Sequence, residues 1–174
     1  MTLEEKKQLL IAACKVRIGI IESTYSASSG HPGGSLSAAD FLTYLYFKEL
    51  NIDPNNPAWS DRDRFVLSKG HAAPALYAVL AHRGFFPVKD LRTLRHTGSY
   101  LQGHPNMNET PVVDMSTGSL GQGVTAASGM ALAAKYMHKD CRIYALLGDG
   151  EIQEGEVWEA FMFAHHYKLD NFCI

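Results

Sequence analysis

The chain has 174 residues, 46% of them hydrophobic, and its 16 basic residues nearly balance 18 acidic ones for a formal net charge of −2. That length predicts one domain with an adequate core, and the scattered basic residues argue against a nucleic-acid or anionic-membrane surface. No apolar stretch is long enough to span a membrane, and the first residues do not resemble a signal peptide. Three separated cysteines in apolar surroundings are expected to be reduced core residues of a cytoplasmic protein: Cys14, Cys141 and Cys173.

The first fifty residues are predicted to be mainly helical. Thr2 and Glu5 have the spacing of a capping box, and apolar residues follow at helical period, so we expect one long helix that ends near Ser26. A loop dense in serine, glycine and proline comes next. We then expect a second helix, capped by Ser35 or Ser37, that carries apolar residues into the core.

Further along the chain, short apolar runs alternate with helical patterns. Strands are expected at residues 65–68 and 141–147 and from Phe172 onward, and helices at residues 70–83, 90–96, 121–137 and 154–167. Because strands alternate with helices, the sequence predicts an α/β fold with a parallel sheet. A strand that stops soon after it begins would leave neighbouring backbone groups unpaired, so we expect this chain to be a piece of a longer one.

A carboxylate between two glycines follows the strand that ends at Leu147. Open α/β sheets bind ligands beyond the carboxyl ends of their strands, and Gly148 and Gly150 allow a bulky anion to approach the backbone. Asp149 offers hard oxygens to Mg²⁺ or Ca²⁺, and Mg²⁺ is usually shared between few carboxylates and a substrate phosphate. The competing interpretation is a common Asp-Gly tight turn, and this motif alone does not separate the two.

Three histidines follow a glycine in a predicted loop: His31, His71 and His104. Imidazole titrates near neutrality and can exchange hydrogen bonds with a polyol or a phosphate. Any one of them alone is more simply a loop residue bonded to backbone, but three with the same local pattern favour a shared polar site. Zinc is the rival hypothesis, although no pair of these histidines has the short ligand spacing of a zinc site.

A glycine-rich segment, Gly118-Ser119-Leu120-Gly121-Gln122-Gly123, precedes a predicted helix. Free N–H groups at a helix start suit a phosphate. A flexible entrance to the helix explains the same residues equally well.

Five ordered motifs resemble the transketolase family over essentially the whole chain. They are residues 29–34 (SGHPGG), 62–72 (RDRFVLSKGHA), 102–105 (QGHP), 118–123 (GSLGQG) and 148–155 (GDGEIQEG). The resemblance implies a three-layer thiamine-diphosphate-binding α/β fold, in which helices flank a parallel sheet and the Gly-Asp-Gly motif holds the diphosphate through Mg²⁺ or Ca²⁺. The sequence looks most like split transketolases, in which the diphosphate-binding and pyrimidine-binding domains are separate polypeptides. The residues that indicate this are Gly33-Gly34, Ser119 and residues 156–160.

The resemblance also implies roles for individual residues. Asp149 is implied as the metal ligand, and the implied cofactor contacts are His71, Gly118, Ser119, Leu120, Gly148 and Gly150. His31 and His104 resemble the histidines that bond the hydroxyls of the donor ketose, and Glu154 resembles the glutamate that joins a proton network between paired active sites. Arg95 matches an arginine near the substrate entrance.

By the same resemblance, residues 1–174 form an incomplete diphosphate-binding domain, truncated at its C-terminus. The family's next metal ligand is an asparagine beyond the strand that begins at Phe172, so Asn171 is not that ligand. The glutamate that activates the aminopyrimidine belongs to the pyrimidine-binding domain, which is absent here. We therefore expect the N-terminal subunit of a split transketolase, which transfers a two-carbon ketol unit between sugar phosphates only together with a pyrimidine-domain partner.

The complete protein is expected to be a dimer of heterodimers. The small-residue helix predicted at residues 121–137 has too narrow a charged stripe for a solvent-facing helix, so it suits a symmetric contact. Glu154 at such a contact could share a proton, which would neutralise a carboxylate near an anionic cofactor. A helix-start carboxylate favoured by the macrodipole is an equally good interpretation of Glu154.

Three alternative functions stay open at this point. Another thiamine-diphosphate enzyme, such as deoxyxylulose-phosphate synthase, is the nearest of them. A non-catalytic interaction protein derived from the family is the second, although Asp149 and the three histidines argue against it. A zinc hydrolase is the third.

Overall fold

The computed structural model describes residues 1–174 and divides the chain into two compact units. Unit 1 consists of Met1–Pro57 and His71–Gly103, and unit 2 consists of Ala58–Gly70 and His104–Ile174. Each unit is therefore built from two separated stretches of the chain, a division that chain length did not indicate. None of the helices combines the length and the apolar character that crossing a membrane would require.

Unit 1 is helical and begins with the predicted long helix, α1 (Leu3–Ser26). The capping box is confirmed: the Thr2 side chain accepts a hydrogen bond from the Glu5 backbone N–H at 3.2 Å, and the Glu5 carboxylate accepts one from the Thr2 backbone N–H at 2.6 Å. Helix α1 packs on the helix that occupies residues 73–83. That helix is buried from Ala73 to Ala81, which explains why it is apolar on every face.

The predicted start of the second helix is wrong. Helix α2 (Pro32–Ser37) begins inside the expected loop with His31 as its N-cap, and α3 (Ala39–Tyr44) follows, continued by a π-helical turn at Leu45–Glu49. The reason is Pro32, because its fixed φ is already helical and its missing N–H costs nothing at the first helical position. Ser35 is buried within α2 instead of capping a helix.

In the rest of unit 1 the helices lie where they were predicted, but parts of them are 3₁₀ helices instead of α-helices. A 3₁₀ turn at Gly70–Ala72, which begins in unit 2, leads into α4 (Ala73–Arg83), where a single helix from residue 70 was expected. Helix α4 ends at Gly84, whose φ of +99° is the left-handed conformation that glycine supplies at many helix ends. The small helix expected at residues 90–96 is a 3₁₀ helix at Val88–Thr93.

Unit 2 contains the predicted parallel sheet. Its strands are β1 (Arg64–Leu67), β2 (Ile143–Leu146) and β3 (Phe172–Cys173), in the order β1-β2-β3, with Arg64 opposite Ile143 and Ile143 opposite Phe172. Helix α5 (Gln122–Tyr136) packs on the sheet and α6 (Gly155–His166) packs on α5, with a 3₁₀ turn at Glu151–Gln153 ahead of α6. Small and branched side chains fill the core between them, including Val66, Val124, Ala127, Ala131, Ile143, Val157 and Ala160.

A buried ion pair fixes the start of β1. The Arg62 guanidinium donates to both carboxylate oxygens of Asp114, at 2.7 and 3.1 Å, and both side chains are less than 9% exposed. The same carboxylate accepts hydrogen bonds from Arg64 at 2.9 Å and from the Phe65 backbone N–H at 3.0 Å. With four donors around it, this carboxylate meets the condition under which a buried charge is tolerated.

The prediction of three core cysteines is wrong for two of them. All three are free thiols, but only Cys141 is buried, whereas Cys14 and Cys173 are exposed. Cys14 has apolar neighbours in sequence, yet successive residues of a helix point in different directions, and its side chain lies on the outer face of α1. Burial raises the pKa of the Cys141 thiol.

Candidate active site

Unit 2 brings three chain segments together at the carboxyl ends of β1 and β2. The Thr117 hydroxyl donates to the Leu67 carbonyl at 2.7 Å, which ties the segment before α5 to the end of β1. A Cβ at Gly70 would lie 2.7 Å from the Gly118 nitrogen, so only glycine allows these two backbones to approach so closely. The third segment is the Gly148–Glu151 turn after β2, which shares hydrogen-bond partners with the start of α5.

His104 and Gly118–Leu120 also lie at these carboxyl ends of β1 and β2. A Cβ at Gly118, where φ is +155°, would lie 3.1 Å from the His104 ring, so the imidazole covers that glycine. Ser119 and Leu120 are exposed. The backbone N–H groups of Gly118–Leu120 donate no hydrogen bond within the chain, which leaves three consecutive donors for a ligand.

Not every N–H group around the glycine-rich segment is available for a ligand. At the helix start itself, the Gly121 N–H donates to Glu151 at 3.0 Å and the Val124 N–H donates to the Ser68 hydroxyl at 3.0 Å. These two groups are therefore occupied. The available N–H groups belong to the loop immediately before the helix instead.

Asp149 is exposed and accepts no hydrogen bond within the chain. Its flanking glycines, Gly148 and Gly150, keep the turn free of side chains, and nothing lies within 4 Å of where a Cβ of Gly150 would be. The Asp149 carboxylate therefore retains all its lone pairs at the edge where the loop donors also lie.

Sequence reasoning missed Lys69, which follows Ser68 at the end of β1. Lys69 is 8% exposed, and its aliphatic stem lies against Gly148, 3.7 Å from the position of a Cβ there. Burial lowers the pKa of the Lys69 ammonium, while the negative charges of Asp149 and Glu151 act in the opposite direction. A cation in this position favours an anionic ligand. In the sequence, the only sign of this residue's role was its place directly between a strand and a glycine.

Glu154 is exposed at the N-cap position of α6 and makes no capping hydrogen bond with its side chain. Its Cβ lies 3.5 Å from where a Cβ of Gly121 would be, so the residue borders the start of α5. The carboxylate is thus open to solvent in this chain.

Unit 1 places two of the predicted histidines side by side. The rings of His31 and His71 are T-shaped with centroids 5.2 Å apart, and Gly34 lies against the His71 ring. His31 is exposed and His71 is half-buried. The structure therefore joins residues that are 40 positions apart in the sequence.

Arg95, also in unit 1, has a φ of +61°, an uncommon conformation for a residue with a side chain. Its guanidinium donates to the Ser29 hydroxyl at 2.7 Å and to the Gly103 carbonyl at 3.4 Å. Arg95 thus braces the two segments that lead to His31 and His104.

No group of three histidine, cysteine, aspartate or glutamate side chains lies close enough together to hold a metal ion. Zinc normally takes three or four such protein ligands. A magnesium ion that shares one carboxylate with a ligand's phosphates needs fewer, and Asp149 meets that requirement.

Comparison with known proteins gives a consistent result. The family model described as transketolase, thiamine diphosphate binding domain, matches residues 8–174. The chain is 49% identical over 168 residues to the 6-deoxy-6-sulfo-D-fructose transketolase subunit SqwG of Clostridium sp. strain MSTE9, covering 97% of this chain and 61% of that subunit. It is 45% identical over 157 residues to an apulose-4-phosphate transketolase subunit of Phocaeicola vulgatus, covering 90% of this chain and 56% of that protein.

Among solved structures, the transketolase of Campylobacter jejuni superposes on this chain with a TM-score of 0.90 at 40% identity, covering 99% of this chain and 28% of that one. The chain therefore spans less than two thirds of the length of each of these relatives.

Proposed function

Because the chain belongs to the transketolase family of thiamine diphosphate-binding domains, we propose that it is the diphosphate-binding part of a split transketolase. With a pyrimidine-domain partner, that enzyme transfers a two-carbon ketol unit from a ketose phosphate to an aldose phosphate. The observation that carries this proposal is the meeting of three free backbone N–H groups and one free carboxylate at the strand ends of unit 2.

The residues present fit thiamine diphosphate and its metal ion. Gly118–Leu120 offer N–H donors to phosphate oxygens, in a loop that leads into a helix start. Asp149 offers hard oxygens to Mg²⁺ or Ca²⁺, with Gly148 and Gly150 keeping the approach open. The Lys69 ammonium adds a positive charge beside Gly148. When bound, the cofactor supplies the nucleophilic carbon for ketol transfer.

The histidines act on the sugar and the cofactor. His104, which covers Gly118, and His31 donate hydrogen bonds to donor-sugar hydroxyls and stabilise oxygens that gain negative charge during transfer. His71, beside His31 in unit 1, contacts the cofactor. Arg95 holds the Ser29 and Gly103 segments in position for these histidines.

Self-association and a separate partner chain complete the proposal. Two of the relatives are named as transketolase subunits, which supports a separate pyrimidine-domain chain here. The α6 surface supports a dimer of heterodimers, because Trp158 and Met162 are 56% and 64% exposed one helical turn apart. Glu154 beside that helix start would share a proton across the symmetric contact. The three free cysteines suit a reducing, cytoplasmic setting.

The experiment combines the full-length subunit with its pyrimidine-domain partner and measures ketol transfer with thiamine diphosphate and Mg²⁺. Donors to compare are fructose 6-phosphate, 6-deoxy-6-sulfo-D-fructose and apulose 4-phosphate, the latter two taken from the names of the relatives. Turnover should require both chains, the cofactor and the metal. Turnover by residues 1–174 alone would contradict the proposal that activity needs a separate pyrimidine-domain chain. Absence of turnover with every donor would favour a non-catalytic descendant of the family.

A further inference from the structure

Glu151 is a buried carboxylate to which the sequence comparison and the proposed chemistry give no role. It is 2% exposed and stands at the first position of the 3₁₀ turn after the Gly-Asp-Gly motif. Its Oε2 accepts a hydrogen bond from the Gly148 N–H at 2.9 Å, and its Oε1 accepts one from the Gly121 N–H at 3.0 Å. One side chain therefore joins the turn after β2 to the start of α5.

A third contact extends this network to β1. The Ser68 hydroxyl donates to Glu151 Oε1 at 2.5 Å and accepts a hydrogen bond from the Val124 N–H at 3.0 Å. Ser68 is fully buried, and its main chain leaves no room for a side chain on Gly123, whose Cβ would lie 2.7 Å from the Ser68 Cα. The end of β1, the start of α5 and the turn after β2 are thus held through one carboxylate and one hydroxyl.

We propose that Glu151 is a positioning residue that sets the distance between the diphosphate donors of Gly118–Leu120 and the metal-binding carboxylate of Asp149. This inference rests on the proposed function. Gly121 directly follows the donor loop and Gly148 directly precedes Asp149, so both anchors lie one residue from the groups that they position. Hydrogen bonds to a charged acceptor are stronger and shorter than neutral ones, which suits a carboxylate for this role.

Backbone hydrogen exchange tests this positioning in the full-length chain without any cofactor. Glu151→Gln keeps the size of the side chain but replaces one accepting oxygen by an NH₂ group. In either orientation of that amide, one of the Gly148 and Gly121 N–H groups loses its acceptor. We expect exchange at that N–H to be about tenfold faster or more, with β2 and α6 unchanged. Glu109→Gln, at an exposed glutamate of the same unit, is the matched control and should exchange like the wild type.

Cofactor binding gives the second readout, in the complex with the partner chain. Glu151→Gln should weaken Mg²⁺-dependent binding of thiamine diphosphate by about tenfold or more in calorimetry, while kcat at saturating cofactor stays close to the wild-type value. That division between affinity and turnover distinguishes a positioning residue from a general loss of folded protein. Wild-type affinity and wild-type exchange in Glu151→Gln would overturn the proposal.

Ser68→Ala keeps the inference testable if Glu151→Gln does not fold. Loss of the hydroxyl removes the acceptor of the Val124 N–H directly, so the informative position is Gly148, to which the hydroxyl is linked through Glu151. Faster exchange at Gly148 supports the network, and an effect confined to Val124 overturns it. If the wild-type complex binds no thiamine diphosphate, the proposed function fails, and the exchange result alone decides whether Glu151 orders the two loops.

Discussion

Two carboxylates that are two positions apart have opposite surroundings. Glu151 is buried and accepts hydrogen bonds from three donors, whereas Asp149 is exposed and accepts none. The same contrast separates the buried Asp114, which has four donors, from the loop of Gly118–Leu120, whose N–H groups have no partner in the chain. The buried carboxylates of Glu151 and Asp114 are satisfied internally and hold backbone in place, whereas Asp149 and the loop of Gly118–Leu120 keep their capacity for a ligand.

This contrast predicts that substitutions of the buried, internally bonded groups and of the exposed, unbonded groups have different consequences. Removing a buried, saturated group leaves its former partners without a bond in a place that water cannot reach, so folding stability suffers. Removing an exposed group with no internal partner leaves folding unchanged, and any loss appears only when a ligand is present.

The largest expected effect is that of Asp114→Ala on stability. The substitution leaves the Arg62 guanidinium buried without its counter-charge, which costs about 3–5 kcal/mol of unfolding free energy. Chemical denaturation of the full-length chain measures the change, and Asp140→Ala, at an exposed aspartate of the same unit, is a control that should differ little. A loss of unfolding free energy below about 1 kcal/mol lies in the range of exposed ion pairs. Such a result would show that burial does not distinguish the stabilising polar groups from the exposed ones.

Asp149→Ala should have its main effect on ligand binding. The apo chain should melt close to the wild-type temperature, because Asp149 makes no hydrogen bond in the fold and acts on Lys69 only through its charge. A ligand at about 100 times its Kd stabilises the native state by roughly 2.7 kcal/mol, so the thermal shift caused by thiamine diphosphate with Mg²⁺ should largely disappear. If the shift persists in full, Asp149 is a turn residue and the metal assignment is wrong.

His104→Ala should lower turnover and donor-sugar affinity while cofactor affinity stays nearly constant. A hydrogen bond to an oxygen that gains charge contributes about 1.5–3 kcal/mol, and one to a neutral hydroxyl about 0.5–1.5 kcal/mol. His31→Ala should behave in the same way, whereas His71→Ala should weaken cofactor binding. Steady-state kinetics with the donor and the cofactor varied separately give the comparison, and identical profiles for all three variants would show that the roles are wrongly divided.

The smallest expected effect concerns the partly exposed ion pair of Asp61 with Lys139. The Lys139 ammonium lowers the pKa of the Asp61 carboxyl below its ordinary 3.8. A lowered folded-state pKa contributes stability that is present above the unfolded value and lost as the pH falls through the folded one. Asp61→Asn should therefore be slightly less stable than the wild type at pH 7 and match it once the pH is well below 3.8. A difference that persists in acid would mean that the pair acts through packing instead of charge.

Local signals predicted the elements of this protein well. The capping box at Thr2 and Glu5, the end of α1 at Ser26 and the apolar runs of the strands depend on residues a few positions apart, so the sequence carries them directly. The parallel sheet followed from the alternation of strands with helices. The start of α2 was mispredicted because two serines were preferred as caps over Pro32.

Candidate site residues were predicted where a motif marks the end of a strand or helix. The glycines around Asp149 indicated a free carboxylate at a strand end, and the structure has that exposed carboxylate after β2. Lys69 and Glu151 were missed, because a lone lysine or glutamate beside a glycine has no pattern that distinguishes it from a solvated one. Their burial becomes visible only when the strands are assembled.

By itself the sequence determined the α/β class, most element positions and the resemblance to a family, since all three are properties of neighbouring residues or of ordered motifs. Only the tertiary structure decided which thiols are buried, how the chain divides into two units and which carboxylate is internal. The physical reason is distance along the chain. Glu151 meets Ser68 from 83 positions away and Gly121 from 30, and no local pattern specifies partners at such separations.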